Sequence, residues 1–312
     1  MVKRLQNKVA ESRLSLPFMA VIAIIIVLLR GDFSGRWWLQ LACWSLSTYL
    51  IVELNNVNSL LRVYSRMVSC SFLILILVAS YLLSDVRVSI VTLCIVVAYT
   101  LLFHCYQVRK SVNWVYTAFL FIGIASYLFI QILYFVPILW ICMTFFLMTM
   151  NIRSFFASLL GLITPYWFGI ILFVYFGEID YLLQHFASLI EFQPLFDYQS
   201  ITINQYLTFA FVVLLLIIGI VHFVRNSFLD KIKTRMFYNI FITMSLACLT
   251  YIILQPMHFD VLIVLLIVNV SPLIAHFISL THTRITNITF IVLLIISASL
   301  IFYNSWSHLL TF

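Results

Sequence analysis

The chain has 312 residues, of which 64% are hydrophobic and only 9% are charged. A soluble domain carries about a quarter charged residues because its surface faces water, so this composition excludes a soluble globular protein. The apolar residues form unbroken runs such as Phe211–Ile220 and Val261–Val268, whereas the strands of a membrane barrel alternate polar and apolar residues. The composition therefore predicts an all-α, polytopic transmembrane helical bundle.

About eleven segments are long and apolar enough to cross a membrane, since a span needs about 20 mostly apolar residues. The run from Trp114 to Thr149 is interrupted only by Gln131 and Pro137. As one helix it would far exceed a hydrocarbon core of about 30 Å, so two spans joined by a tight turn are predicted there. We treat residues 1–312 as a single integral membrane domain. The predicted spans are 16–30, 37–54, 67–84, 88–107, 114–131, 133–150, 155–176, 204–224, 236–254, 258–279 and 286–304.

The basic residues predict the orientation of this bundle. If the N-terminus is cytoplasmic, 14 of the 17 basic residues lie in inner segments, and only Arg30, Arg36 and Arg87 lie outside. Lys and Arg of short loops collect on the cytoplasmic side, so the pattern predicts a cytoplasmic N-terminus and a periplasmic C-terminus in a bacterial inner membrane. The net charge of +7 then indicates contact of the protein with the anionic headgroups of the lipid bilayer, and not with nucleic acid.

The first external loop, residues 30–36, places two arginines around one aspartate. Paired guanidinium groups suit a phosphate or pyrophosphate because each offers planar bidentate donors. We predict Asp32 as a catalytic residue, acting as a base or metal ligand, and Arg30 and Arg36 as substrate-binding residues. The alternative interpretation is a local ion pair of side chains that extend to the interface.

The second predicted span ends in the polar segment Glu53–Asn58, which holds one carboxylate and three carboxamides. Such a group at a helix terminus indicates that the helix finishes in the headgroup region. A functional polar cluster is the alternative interpretation.

The largest external loop contains residues 178–191, whose apolar residues repeat at helical spacing. This pattern predicts one external amphipathic helix in the membrane interface, ended by Pro194. Its Glu178, Asp180 and His185 are predicted to bind substrate, either through a divalent cation or through acid–base chemistry. A solvated face of an interfacial helix is the alternative interpretation.

Asn269 and His276 lie seven residues apart in the tenth predicted span and therefore share a helix face, with Pro272 between them. Polar groups at this depth usually face the interior of a bundle. Interhelical hydrogen bonding is one interpretation of the pair, and contact with a substrate is the other.

No sequence motif predicts a cofactor. The chain has no phosphate-binding loop, dinucleotide-binding fingerprint or HExxH motif. The cysteines all fall inside apolar runs and form no CxxC pair, so they are predicted to be buried hydrophobic residues. They are Cys43, Cys70, Cys94, Cys105, Cys142 and Cys248.

The segments Glu53–Asn56, Asn151–Phe155, Gly161–Trp167 and Asn269–Phe277 resemble an uncharacterised multi-pass inner-membrane family of Bacteroidota. The resemblance extends over most of the chain and implies an envelope location, with no known activity.

A looser resemblance concerns Asp32, just after the first helix, together with the external helix of residues 178–191. This combination is similar to the polytopic lipid-linked sugar transferases and polysaccharide polymerases, by analogy of layout alone. The chain departs from them in its very short first external loop, which in those proteins usually carries the catalytic helix.

Three functional hypotheses follow from these observations. The first is an enzyme that acts at the outer face on a polyprenyl-phosphate-linked glycan during envelope assembly. The second is a non-enzymatic scaffold or subunit of a membrane complex, and the third is a carrier or flippase. The first requires an outward-opening polar cavity at Asp32, and the third requires a polar path to Asn269.

Overall fold

The computed structural model describes residues 4–30, 37–108, 110–177, 179–191, 194–199 and 201–307. These ranges are helical and contain no β-strand, which confirms the all-α helical bundle for the part of the chain they cover. The helices are α1 (Leu5–Glu11), α2 (Ser15–Arg30), α3 (Trp37–Asn58), α4 (Met67–Val78), α5 (Val86–His104), α6 (Val112–Leu128), α7 (Val136–Phe145), α8 (Ile152–Phe176), α9 (Ile179–Ala187), α10 (Ile203–Asn226), α11 (Ile232–Leu254), α12 (Phe259–Leu280) and α13 (Arg284–Ser307).

Within the described ranges, six helical segments are long and apolar enough to cross a membrane, or seven if α1 and α2 form one bent span. The chain is therefore a helical membrane protein, while the count of eleven spans stays a prediction. The six are Val86–His104, Ile152–Phe176, Ile203–Leu229, Ile232–Leu254, Pro256–Leu280 and Arg284–Ser305.

Several helix bounds differ from the predicted spans by a few residues, and the second, third and sixth spans illustrate the causes. The third span ends early, at Val78, and a 3-10 turn over Ser80–Leu82 leads to Asp85, whose carboxylate caps α5 by accepting from the Arg87 amide at 2.7 Å. The sixth span shortens to α7, and Pro137 lies in the first turn of this helix. Proline is tolerated there because the backbone N–H that it lacks would have no hydrogen-bond partner within the helix. The second span lengthens, since α3 continues to Asn58.

Polar contacts between helix ends define two ends of the bundle. At one end, Ser65 of the α3–α4 loop donates to the Ala10 carbonyl at 2.6 Å and accepts from Ser279 of α12 at 3.3 Å. At the other end, Asn304 of α13 donates to the carbonyl of Val78, the last residue of α4, at 2.6 Å. The apolar helices run alternately between these two ends.

We call the first of these ends the basic end, because most basic residues of the chain lie there. Aromatic contacts extend it to the end of α5, where the rings of Phe103 and Phe237 stack 4.1 Å apart. The described basic residues of this end are Arg4, Lys8, Arg13, Arg62, Arg66, Lys110, Arg153, Arg225, Lys231, Lys233, Arg235 and Arg284.

Helix α12 occupies the centre of the bundle. Every residue from Leu262 to Ser279 is buried, and the helix packs against α4, α5, α10 and α11. Its Ser271 satisfies its hydroxyl within the helix by donating to the Ile267 carbonyl at 2.6 Å. A helix that is apolar on all sides must be surrounded either by protein or by lipid. Helix α12 is surrounded by protein.

Helices α6 and α8 approach each other closely through glycines. A Cβ atom on Gly123 would lie 2.8 Å from the Leu162 carbonyl oxygen, and one on Gly161 would clash with the Tyr116 carbonyl oxygen. Small residues permit this distance between membrane helices, which associate through close packing and not through exclusion of water.

Helix α1 lies across the basic end, at 90° to α2. Gln6 of α1 is buried, and its side-chain amide donates to the Ile278 carbonyl at 2.7 Å and to the Thr281 hydroxyl at 2.6 Å. These bonds fasten α1 to the end of α12 and fix the corner between α1 and α2.

Candidate functional site

The predicted site in the first external loop falls largely outside the described residues. Asp32 and Arg36 lie outside them, as does Glu178, and Arg30 ends α2 with its side chain outside the description. The catalytic role of Asp32 and the substrate-binding roles of Arg30, Arg36 and Glu178 therefore stay predictions.

Helix α9 occupies the middle of the predicted amphipathic segment but ends at Ala187, earlier than expected. There the Ser188 hydroxyl donates to the His185 carbonyl at 2.7 Å, and the amides of Leu189 and Ile190 bond three residues back instead of four. Asp180 is exposed. Apolar side chains of this segment, including that of Ile190, are also exposed and are free to contact lipid.

His185 of α9 docks this helix onto the end of α6. Its Nε2 atom lies 3.2 Å from the Ser126 carbonyl, and its ring is near those of Tyr127 and Tyr166. Desolvation lowers the pKa of His185 below its usual value, although the Ser126 carbonyl partly opposes the shift.

Acidification should loosen α9 from α6. The pKa of His185 is lower in the folded protein than in the unfolded state. As the pH falls below about 6.5, the unfolded state therefore binds more protons than the folded state, and the docking of α9 becomes weaker. The weakening ends once the pH is below the folded-state pKa. Hydrogen exchange of the α9 amides, corrected for intrinsic rates, should be faster at pH 5.5 than at pH 7.5. In His185→Gln this difference should disappear, and an equal difference in that variant would contradict the assignment.

Asn269 and His276 have different hydrogen-bond partners and lie at different depths in α12. Asn269 accepts from the Tyr99 hydroxyl at 2.8 Å and donates to the Leu265 carbonyl at 2.7 Å, next to a cavity of only about 20 Å³. His276 instead contacts Asp230, in the loop between α10 and α11. The substrate-binding role of both residues stays a prediction.

Asp230 joins three separate parts of the chain at the basic end. Its carboxylate is fully buried, with Oδ2 at 3.0 Å from His276 Nε2 and Oδ1 at 2.8 Å from Arg62 Nε. The Arg62 contact is an ion pair without the alignment of a strong hydrogen bond. A buried carboxylate requires such partners because an isolated charge in an apolar interior is costly.

Aromatic side chains enclose the His276 ring. The centroid of the His222 ring lies 5.2 Å away, and that of the buried Tyr238 lies 5.0 Å away, with the Tyr238 hydroxyl donating to the Pro272 carbonyl at 3.3 Å. His276 Nδ1 and His222 Nε2 are both buried and have no hydrogen-bond partner among the described residues. The imidazole of His276 is thus held by Asp230 and by packing, and it fixes the carboxylate in turn.

Next to this cluster, a polar cavity of about 340 Å³ lies between the α3–α4 loop and the start of α11. We call it the basic-end pocket. Its lining contains two basic side chains and no carboxylate among the described residues. The lining residues are Asn55, Asn56, Ser59, Leu61, Arg62, Val63, Tyr64, Ser65, Lys231 and Thr234.

The geometry of the basic-end pocket leaves donors and acceptors available. Arg62 uses Nε for Asp230, and its two terminal nitrogens make no hydrogen bond to any described residue. The side-chain amide of Asn55 donates to the Ser65 carbonyl at 3.0 Å, while Asn55 Oδ1 is buried without a partner in the described chain. Ser59, at φ 48°, closes the turn and accepts from the Thr234 hydroxyl at 3.4 Å.

Such a pocket suits an oxyanion. A guanidinium with two free terminal nitrogens and an ammonium form charge-assisted hydrogen bonds with phosphate oxygens. Within the described part of the chain, no group of three or more His, Cys, Asp or Glu side chains is placed to hold a metal ion.

Sequence reasoning missed the cluster of Arg62, Asp230 and His276. The charge pattern placed Arg62 among the inner basic residues, but it did not predict a contact of Arg62 with Asp230 or of Asp230 with His276. The sequence feature that could have indicated this cluster is Asp230, an acidic residue inside the strongly basic segment of residues 225–235. A carboxylate in such a segment indicates a specific charged partner.

Comparisons with protein-family models, with curated proteins and with solved structures find no match to this chain.

Proposed function

We propose that this membrane protein binds a phosphorylated lipid, with the phosphate in the basic-end pocket. The observation that carries the proposal is that Arg62 and Lys231 line a polar cavity in which the described residues include no carboxylate. A phosphate in this pocket meets two positive charges, while its hydrocarbon part remains in the bilayer.

Each residue of the pocket has a separate task in this proposal. Arg62 contributes a planar pair of donors to two phosphate oxygens, and Asp230 holds the guanidinium in place through Nε. His276 orients Asp230 from the other side. Lys231 supplies a second, more mobile charge, and Asn55 contributes an acceptor for a protonated phosphate or a hydroxyl of the headgroup.

The proposal includes the topology expected from the sequence: eleven spans in a bacterial inner membrane, a cytoplasmic N-terminus and a periplasmic C-terminus. It is supported by the collection of basic residues at one end of the bundle and by helices that alternate in direction. In this orientation the basic-end pocket opens toward the cytoplasm.

Envelope assembly remains the wider role that we propose for a phosphorylated-lipid ligand. The enzyme hypothesis, in which Asp32 acts on a polyprenyl-phosphate-linked glycan at the outer face, and the scaffold hypothesis remain alternative proposals. The carrier hypothesis has less support, because the described surroundings of Asn269 are mostly apolar and enclose only about 20 Å³.

Binding of phosphatidic acid to the purified protein in detergent tests this proposal. Lys231→Gln should weaken binding about tenfold, since a charge-assisted contact contributes about 1.5 kcal/mol or more. Lys231 is exposed, so the variant should fold normally. Affinity can be measured by microscale thermophoresis with a labelled short-chain phosphatidic acid.

Lys233→Gln is the matched control, because it removes the same charge two residues away. Lys233 lies over the Phe237 ring, 5.4 Å from its centroid, and does not line the pocket. The affinity of Lys233→Gln for phosphatidic acid should stay within twofold of that of the parent protein. Equal losses in both variants would reduce the effect to general attraction by the basic end, and inorganic pyrophosphate binding as tightly as phosphatidic acid would contradict a lipid ligand.

A further inference from the structure

A second cavity, separate from the basic-end pocket, lies on the side of the bundle below the corner of α1 and α2. It is an apolar groove of about 490 Å³ between α2, α4 and α13, a volume typical of ligand sites. Leu75, Ile274 and Phe290 are buried and form its floor, and the exposed Leu14 and Phe18 form its rim. We call it the lateral groove.

The lateral groove runs from the basic end toward the middle of the bundle. Along α4 it extends from Met67 to Leu75, or about 12 Å at 1.5 Å per residue. Its rim faces the surface that contacts lipid, so a hydrocarbon chain can enter sideways from the bilayer.

One polar group inside the lateral groove has no partner. Ser71 of α4 is 4% exposed, and its hydroxyl makes no hydrogen bond to any described residue. Other serines of the lining are satisfied: Ser15 donates to the Ser12 carbonyl at 2.9 Å, and Ser297 donates to the Leu294 carbonyl at 2.9 Å. A buried hydroxyl without a partner is costly, so the Ser71 hydroxyl indicates an acceptor supplied by a ligand.

A positive charge marks the open end of the lateral groove. Lys8 of α1 is the one charged residue in the described lining, and it makes no ion pair within the described chain. Ser71 lies four residues into α4, about 6 Å deeper than its first residue. In a glycerophospholipid the ester carbonyls lie just below the phosphate, in the same order as Ser71 and Lys8.

We infer that the lateral groove holds one acyl chain of an anionic glycerophospholipid. The phosphate pairs with Lys8, an ester carbonyl accepts from the Ser71 hydroxyl, and the acyl chain lies on Leu75, Ile274 and Phe290. This lipid is a bound component of the fold, and the inference does not depend on the ligand of the basic-end pocket. A polyprenyl phosphate fits less well because it has no ester carbonyl for Ser71.

Photo-crosslinking tests this inference. The probe is phosphatidylglycerol with a diazirine in its acyl chain, added to the detergent-purified protein, and labelled peptides are identified by mass spectrometry. Label is expected on α4 and α13, at residues 70–75 and 290–297. Met19→Trp, which fills the lateral groove, should lower this label at least fivefold, while Ile24→Trp on the exposed face of α2 should not.

The polar contacts are tested separately. Lys8→Gln should weaken competition by unlabelled phosphatidylglycerol about fivefold, and Arg13→Gln, a charge loss outside the lateral groove, should have less than a twofold effect. Ether-linked phosphatidylglycerol lacks the ester carbonyl and should compete about two- to tenfold less well, a difference that vanishes in Ser71→Ala.

Three results would overturn the inference. Label spread evenly over the exposed apolar helices, or label unchanged in Met19→Trp, would show that the groove is ordinary lipid-facing surface. Better competition by undecaprenyl phosphate than by phosphatidylglycerol would exclude an ester lipid. Because Lys231→Gln is expected to leave this label unchanged, failure here and failure of the basic-end pocket are distinguishable.

Discussion

Replacing Arg62 with methionine should destabilise the protein by about 3 kcal/mol. The substitution leaves the carboxylate of Asp230 buried with His276 as its remaining partner, and breaking a buried ion pair usually costs about 3–5 kcal/mol. The lower end of that range applies because 34% of the Arg62 side chain is exposed. Unfolding by increasing mole fractions of SDS in mixed micelles measures the change.

A double variant separates the ion pair from other roles of Arg62. Asp230→Asn removes the charge but keeps an acceptor for His276, so its cost should be smaller than that of Arg62→Met, since Arg62 can then turn toward solvent. Arg62→Met combined with Asp230→Asn should recover most of the lost stability. If the two costs simply add, the destabilisation comes from lost packing of Arg62 and not from an unpaired buried charge.

Replacing Gly161 with alanine should disrupt the packing of α6 on α8. The new methyl group would clash with the Tyr116 carbonyl and lie 3.0 Å from the Leu120 amide nitrogen, and both are backbone atoms that move only if a helix moves. Overpacking of this kind costs about 1–3 kcal/mol or more. The melting temperature in detergent should fall, and the loss should be visible in the yield of folded protein.

Gly169→Ala, in the same helix, is the matched control. The nearest atoms to its new methyl group belong to the end of the Tyr127 ring, at 3.1 Å, and this ring can rotate away. Alanine also favours the helix by up to about 1 kcal/mol relative to glycine. Stability should therefore be unchanged or slightly higher, and an equal loss in both variants would refute the assignment of the cost to helix separation.

The positions of the helices followed directly from the sequence. A helix lies at each of the eleven segments predicted from apolar runs bounded by polar residues. A membrane helix makes its backbone hydrogen bonds within its own segment, so the apolar composition of that segment is enough to predict it. The burial of all six cysteines was also predicted and is confirmed. Bounds were less accurate where local capping decided them, as at Val78 and Asp85.

The candidate site was much harder to predict. Asp230 and His276 are 46 residues apart, and their contact depends on how α10, α11 and α12 pack, which composition does not encode. The external charges predicted a site at Asp32 and Arg36 instead, and these two residues lie outside the described ones. The polar segment at Asn55 was interpreted as a helix end, and the structure shows that the end of this helix also forms a wall of the basic-end pocket.

The burial of α12 on all sides has a consequence for biogenesis. During synthesis, α4, α5, α10 and α11 enter the membrane before the helix that they enclose. Until residues 259–280 arrive, the surfaces that will contact α12 must be covered by lipid tails or by the insertion machinery. When α12 inserts, it displaces those tails and joins α4 and α5, made early in synthesis, to α10 and α11.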